Sequence, residues 1–290
     1  MLNTQSAAFE STLNQFIASA LSEDIGSGDQ SALACLDPNA SGAADCLVKA
    51  KGVIAGIEMA RRIFAHYDQR IRFTARLADG DPIEAGTIAF SIEGPQASLL
   101  STERLVLNCL QRMSGIATLT HKVQQLIAHT NCRVLDTRKT TPNFRIAEKW
   151  AVQIGGGENH RMGLYDMIML KDNHIDYAGG VAQAIEKTLA YLKRQSKNLP
   201  IVVETRTIEE VVACLAYQGR IARILLDNMS IDRLHEALEL IDGRIPTEAS
   251  GGINLSNVVS IAETGVDYVS MGSIIYSAEV LDMSLKAVNS

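Results

Sequence analysis

The spacing of apolar residues divides the chain into two stretches of different character. Phe9, Leu13, Phe16, Ile17, Ala20 and Leu21 recur at helical spacing and predict an amphipathic helix to about Asp24. The turn-rich Ile25-Gly26-Ser27-Gly28-Asp29 follows. From about residue 43 to 95 the pattern is short strands broken by turns: Cys46-Leu47-Val48, Val53-Ile54-Ala55-Gly56, Ile71-Arg72-Phe73 and Thr87-Ile88-Ala89-Phe90. A helix at Ile57 to Tyr67 interrupts them, and a long helical pattern follows from about Ser98 to Met113. This is a compact α+β unit, expected over residues 1–113.

After about residue 115, apolar runs alternate with helical patterns. The runs are Arg133 to Asp136, Asp166 to Leu170, Ile201 to Glu204, Ile221 to Leu226, Ile245 to Glu248 and Val266 to Ser270, with a weaker candidate at Val152-Gln153-Ile154. Helical segments such as Gly180 to Lys193 and Ile231 to Ile241 lie between them. Strands alternating with helices imply a parallel sheet, and continuous apolar runs suit strands buried on both faces. Every run exits into polar, charged or glycine-rich residues: Asp136-Thr137-Arg138-Lys139-Thr140, Lys171-Asp172-Asn173-His174, Glu204-Thr205-Arg206, Asp227-Asn228, Ser250-Gly251-Gly252 and Gly272-Ser273. An open doubly wound sheet would concentrate its chemistry at one switch point. Chemistry at every strand end favours a seven-stranded (β/α) barrel instead, over residues 114–276.

Composition narrows the function. Of 290 residues, 47% are hydrophobic and 21% charged, which excludes disorder and fibrous classes. The net charge of −6 argues against nucleic acid as partner. No apolar run reaches membrane-spanning length. Five cysteines without a CxxC motif read as reduced thiols. The N-terminus has neither a basic n-region nor an apolar h-region, so a cytoplasmic location is expected.

Within this acidic chain, Arg138, Lys139, His160, Arg161 and Lys171 collect at strand exits. Singly, each is best read as a solvated charge; together they repel one another unless an anion neutralises them. Arg grips carboxylate or phosphate with its planar fork, and Lys adds a point charge. The glycine-rich exits at Ser250-Gly251-Gly252 and Gly272-Ser273 follow the final two strands, the usual phosphate site of such barrels. Gly155-Gly156-Gly157 fits an anion cradle or plain turn chemistry equally. Glu204 and Asp227 each end a strand, as acid–base groups, helix caps or, beside a polyanion, ligands for Mg²⁺ or a sugar. The residues therefore describe an enzyme for a phosphorylated, multiply anionic small molecule.

Several segments resemble the quinolinate phosphoribosyltransferase family: Asp136-Thr137-Arg138-Lys139-Thr140, Gly155-Gly156-Gly157-Glu158-Asn159-His160-Arg161, Lys171-Asp172-Asn173-His174, Leu226-Asp227-Asn228 and Glu248-Ala249-Ser250-Gly251-Gly252-Ile253. The resemblance implies an N-terminal α+β open sandwich domain, to which the tail 277–290 returns, beside a seven-stranded barrel. It implies phosphoribosyl transfer from phosphoribosyl pyrophosphate to quinolinate, with Mg²⁺ and with loss of carbon dioxide. It further implies that Arg138, His160 and Arg161 face the quinolinate carboxylates, and that Lys139 and Lys171 hold phosphate. Glu204 and Asp227 would take ribose hydroxyls and Mg²⁺, and Ser250, Gly251, Gly272 and Ser273 would cradle phosphate. A homodimer or higher homo-oligomer is implied, with Arg104 reaching in across the interface. The chain departs from the family pattern at Asn143, Val202 and Tyr276. Asn tolerates positive φ, so the turn at Asn143 is expected to survive. Two other classes are compatible with these residues: a barrel aldolase with Lys139 or Lys171 as Schiff-base amine, and a non-catalytic phosphoribosyl-binding protein.

Overall fold

The structure, a computed structural model, describes residues 3–288. Residues 1 and 2 of the expected first domain and 289 and 290 of the expected returning tail lie outside the described residues. The chain forms two compact units, both discontinuous in sequence. A mixed unit takes the chain up to residue 121, then 139–157 and everything from 274 onward; a parallel unit takes 122–138 and 158–273.

The mixed unit opens with α1 (Ala7–Ile25) and α2 (Gln30–Cys35). Ser6 caps α1 by accepting the Phe9 N–H at 3.1 Å, and Phe9, Leu13, Ile17 and Leu21 form its buried stripe. Strands β1 (Ser41–Val48) and β2 (Gly52–Val53) lead to α3 (Ile57–Tyr67). Asp79 fastens the start of α3, its carboxylate accepting the Gly56 and Ile57 N–H groups at 2.6 and 2.9 Å. Then come β3 (Arg72–Ala75), β4 (Pro82–Ile83), β5 (Ile88–Pro95) and the long α4 (Gln96–Leu126). The chain enters the parallel unit with β6 (Arg133–Leu135) and returns for α5 (Arg145–Ile154).

The parallel unit continues through β7 (Ile168–Leu170), α6 (Asp172–Ala178), α7 (Val181–Arg194), β8 (Ile201–Thr205) and α8 (Ile208–Leu215). It finishes with β9 (Arg223–Asp227), α9 (Ile231–Ile241), β10 (Thr247–Ser250), α10 (Val258–Ala262) and β11 (Tyr268–Ser270). The short α11 (Ser273–Tyr276) and β12 (Met283–Val288) carry the chain back into the mixed unit.

The mixed unit holds an antiparallel sheet in the order β12-β1-β5-β3. Val288 lies opposite Ala43 in this sheet. Along β1, Ala44, Cys46 and Val48 are buried, the period-two signature of a strand with one covered face. The rings of Phe64, Phe73 and Phe90 meet within 4.7–6.1 Å in its core.

In the parallel unit six strands pair in the order β6-β11-β10-β9-β8-β7. The expected seven-stranded barrel needs one correction. The seventh strand is reduced to a bridge between Leu135 and Glu158, and among the described residues no ladder joins that segment to β7. Val152-Gln153-Ile154, the expected weak strand, is the last turn of α5. Ile146, Ala147, Trp150 and Ala151 set up a buried helical face that these residues continue, and the three glycines then stop the helix. No helix among the described residues is long and apolar enough to cross a membrane.

Candidate active site

Strand register alone assembles one polar rim. In a parallel ladder, paired residues point the same way and alternate residues share a face. Glu204 pairs with Leu225, Leu225 with Glu248, and Asp227 with Ser250, while Met169 pairs with Val202 two places before Lys171 and Glu204. Lys171, Glu204, Asp227 and Ser250 therefore stand on one face at the C-terminal ends of neighbouring strands.

Local bonds hold this rim in shape. Lys171 Nζ lies 3.4 Å from Glu204 Oε2, and the Asp172 N–H donates to Glu204 Oε1 at 3.2 Å. The Lys171 N–H donates to His174 Nδ1 at 3.0 Å, closing the first turn of α6. Asp227 accepts from Ser250 Oγ and from Asn228 Nδ2, the latter at 2.7 Å. Gly251, at φ 90°, is required here: a Cβ would sit 2.2 Å from Asn228 Oδ1. Gly272 and Ser273, half-buried, follow β11.

Arg138, His160 and Arg161 also belong to the parallel unit. The buried Asp136 accepts the His160 N–H at 2.8 Å and Asn159 Nδ2 at 2.7 Å. The Arg161 N–H donates to His160 Nδ1 at 2.8 Å, which places the imidazole proton on Nε2. That nitrogen lies 3.3 Å from Glu248 Oε2, and Arg223 Nη1 approaches the same oxygen at 2.6 Å. Arg223 stacks over the Tyr268 ring at 4.0 Å. Burial, and then the charge of Arg138, pull the Arg161 pKa down against the opposing charge of Asp166. Glu248, Arg223 and Asp136 were not singled out as site residues. The signal was present for two of them: Glu248 and Arg223 are charges inside apolar strand runs, and such charges must be paired.

The remaining expected residues fall in the mixed unit. Arg104 is exposed on α4, and Lys139 is exposed just past the unit boundary that follows Arg138. In Gly155-Gly156-Gly157, packing explains the outer two glycines, and the middle one adopts φ 89°. A Cβ on Gly155 would meet Ala117 O at 2.4 Å, and one on Gly157 would meet Thr120 Cγ2 at 2.7 Å. Asn143 adopts φ 62°, as its residue type allows. Val202 is buried in the sheet, and Tyr276 is exposed.

For Mg²⁺, no cluster of three or more acidic, His or Cys ligands occurs among the described residues. Two strand-end carboxylates on one face, Glu204 and Asp227, fit a hard cation that keeps water and substrate oxygens as its other ligands. They do not form an all-protein cage.

Fold and rim describe an α/β protein that gathers charged and polar groups at the ends of its parallel strands. Two family descriptions match the chain: quinolinate phosphoribosyl transferase, N-terminal domain, over residues 29–114 and C-terminal domain over 116–286. The quinolinate phosphoribosyltransferase (decarboxylating) 1 of Nicotiana glauca is 44% identical across 94% of this chain and 82% of its own length. The probable nicotinate-nucleotide pyrophosphorylase (carboxylating) of Synechocystis is 42% identical, across 92% of this chain and 90% of its own. The crystal structure of NadC from Streptococcus pyogenes matches with a TM-score of 0.90 at 36% identity, covering 99% of this chain and all of that one. The chain belongs to the quinolinate phosphoribosyltransferase family.

Proposed function

We infer that this chain transfers the phosphoribosyl group of phosphoribosyl pyrophosphate to quinolinate, releasing pyrophosphate and carbon dioxide and leaving nicotinate mononucleotide, a step of NAD biosynthesis. The observation that carries this reading is the rim of Lys171, Glu204, Asp227 and Ser250 on adjacent strands in a chain of this family.

The chemistry is assigned to residues within 114–276. Arg138, His160 and Arg161 face the two carboxylates of quinolinate, which holds the pyridine nitrogen against the anomeric carbon. Lys139 and Lys171 hold phosphate oxygens, and Ser250, Gly251, Gly272 and Ser273 cradle phosphate. Glu204 and Asp227 bind the ribose hydroxyls and Mg²⁺. A cation held by these two carboxylates would supply positive charge that favours the departure of pyrophosphate. The bond from the anomeric carbon to pyrophosphate breaks, its electron pair leaving with pyrophosphate, and the pyridine nitrogen supplies the pair for the new bond. Carbon dioxide then leaves the ring carbon beside the cationic nitrogen, and a proton takes up the electron pair left behind. Positioning and charge stabilisation suffice for these steps, and no protein base starts the decarboxylation.

The chain works as a homodimer or higher homo-oligomer with Arg104 contributed across the interface. An open groove of about 900 Å³ in the mixed unit is lined by Gly42, Gln96, Leu100 and Glu103, the last adjacent in sequence to Arg104. The protein resides in the cytoplasm. Buried, unpaired Cys46, Cys109, Cys132 and Cys214, with thiols pushed up to about 12, suit a reducing compartment.

The test is product formation from phosphoribosyl pyrophosphate and Mg²⁺ with quinolinate, and with nicotinate as control acceptor. Nicotinate mononucleotide is expected with quinolinate alone; its formation from nicotinate but not quinolinate overturns the reading.

A further inference from the structure

Glu148 on α5 is fully buried, and its partners are Thr141 in the preceding loop and Arg112 on α4. Thr141 donates to it twice, from the backbone N–H to Oε2 at 2.8 Å and from Oγ1 to Oε1 at 2.9 Å. Arg112 on α4 donates to Oε1 from Nε at 3.2 Å and from Nη2 at 3.0 Å. The same guanidinium reaches onward, from Nη2 to Ile275 O at 2.8 Å and from Nη1 to Ala278 O at 2.9 Å.

Ion pairs that are buried add little net stability, so the pair is better explained by what it places. What it places is a loop. Thr141 follows Lys139 by two residues and is held at both backbone and side chain. Thr140 Oγ1, one residue nearer, accepts from Arg145 Nε at 2.9 Å. Past Thr141, Pro142 fixes its own φ and Asn143 turns the chain at φ 62°. Lys139 itself is exposed, two residues before the contacts made by Thr141. The bonds from Arg112 fix the turn that runs on from Gly272 and Ser273 in the same way.

We propose that Glu148 and Arg112 are positioning residues for the phosphate-binding step: a buried ion pair that sets where the Lys139 loop and the Ile275–Ala278 turn stand. The proposal rests on the phosphate role given to Lys139 above. A strained or displaced lysine loop loses the geometry of the transition state without losing the fold.

The experiment compares Glu148→Gln, Thr141→Val, Thr141→Ser and Lys139→Ala, singly and with each Glu148 or Thr141 change combined with Lys139→Ala. Glu148→Gln is expected to lower kcat/KM for phosphoribosyl pyrophosphate about 100-fold and Thr141→Val about 10-fold, with KM for quinolinate unmoved. Thr141→Ser restores the donor and the activity. In the Lys139→Ala background neither Glu148→Gln nor Thr141→Val adds a further loss, because the effect runs through the lysine. Full additivity, or equal rises in KM for both substrates, overturns the proposal. Near-normal activity of Lys139→Ala alone overturns the underlying site assignment instead. Should Glu148→Gln fail to fold by circular dichroism, the Thr141→Val and Thr141→Ser pair decides the matter, since both leave the ion pair intact.

Discussion

Glu248 in the parallel unit and Glu148 in the mixed unit are both fully buried and both meet an arginine, yet their surroundings differ. Around Glu248 the partners are side chains of the sheet interior, Arg223 at 2.6 Å and His160 at 3.3 Å, and Oε1 has no hydrogen-bond partner. Around Glu148 the donors include a backbone N–H and a hydroxyl from one loop, and its arginine goes on to bind the backbone of another segment. The first arrangement sets an arginine and an imidazole beside one carboxylate; the second fixes the course of the chain. Burial of a charge thus serves placement in both, but it acts on side chains in one unit and on backbone in the other.

The comparison holds only if the rim beyond Glu248 is dispensable for folding. Arg161→Ala should cut turnover about 1,000-fold with an unchanged melting temperature, because a charge that grips substrate contributes little to the empty protein. A large drop in melting temperature would assign Arg161 to the scaffold with Glu248. Glu248→Ala should cost about 3–5 kcal/mol in urea unfolding, since it takes the buried carboxylate away from the half-buried Arg223.

The pH dependence sharpens the same point. Burial pushes the Glu248 pKa up, the bond and charge of His160 and then Arg223 pull it down, and the balance lies below the ordinary 4.5. A depressed folded-state value stabilises the protein above the unfolded pKa, and this stabilisation is lost as pH falls through the folded value. Unfolding curves of wild type and Glu248→Gln should therefore differ most at neutral pH and converge below 4.5. Convergence in the opposite direction would show that His160 and Arg223 do not hold the carboxylate ionised. The smallest effect is expected at Ser6→Ala, about 1 kcal/mol of stability with kcat unchanged, since it removes only the N-cap of α1.

The elements most legible in the sequence were those whose local signals agree. Helices α3 and α9 span the residues that their apolar spacing marks, Ile57–Tyr67 and Ile231–Ile241. Helix α4 runs past its expected end at Met113 to Leu126. Gly115 looks like a stop, but it is there because a Cβ would strike Glu279 O at 1.9 Å. Strand β12 has no strong apolar run of its own and gains its structure from β1, a partner in long-range pairing that no local window contains. At the rim, the polar exits of successive strands announced Lys171, Glu204, Asp227 and Ser250. Glu148 gave no such sign: its neighbours in sequence are Ala147 and Lys149, and the loop it serves reaches it only in three dimensions.

The pairing of β12 with β1 sets an order of events during synthesis. Ala43 emerges early from the ribosome, but the strand it must lie against ends at Val288. Until that strand arrives, β1 offers the growing chain an open edge, while the whole parallel unit is made in between. The sheet of the mixed unit is therefore completed only once residues 283–288 have been made. A chain truncated before Met283 is left with an exposed strand that invites aggregation.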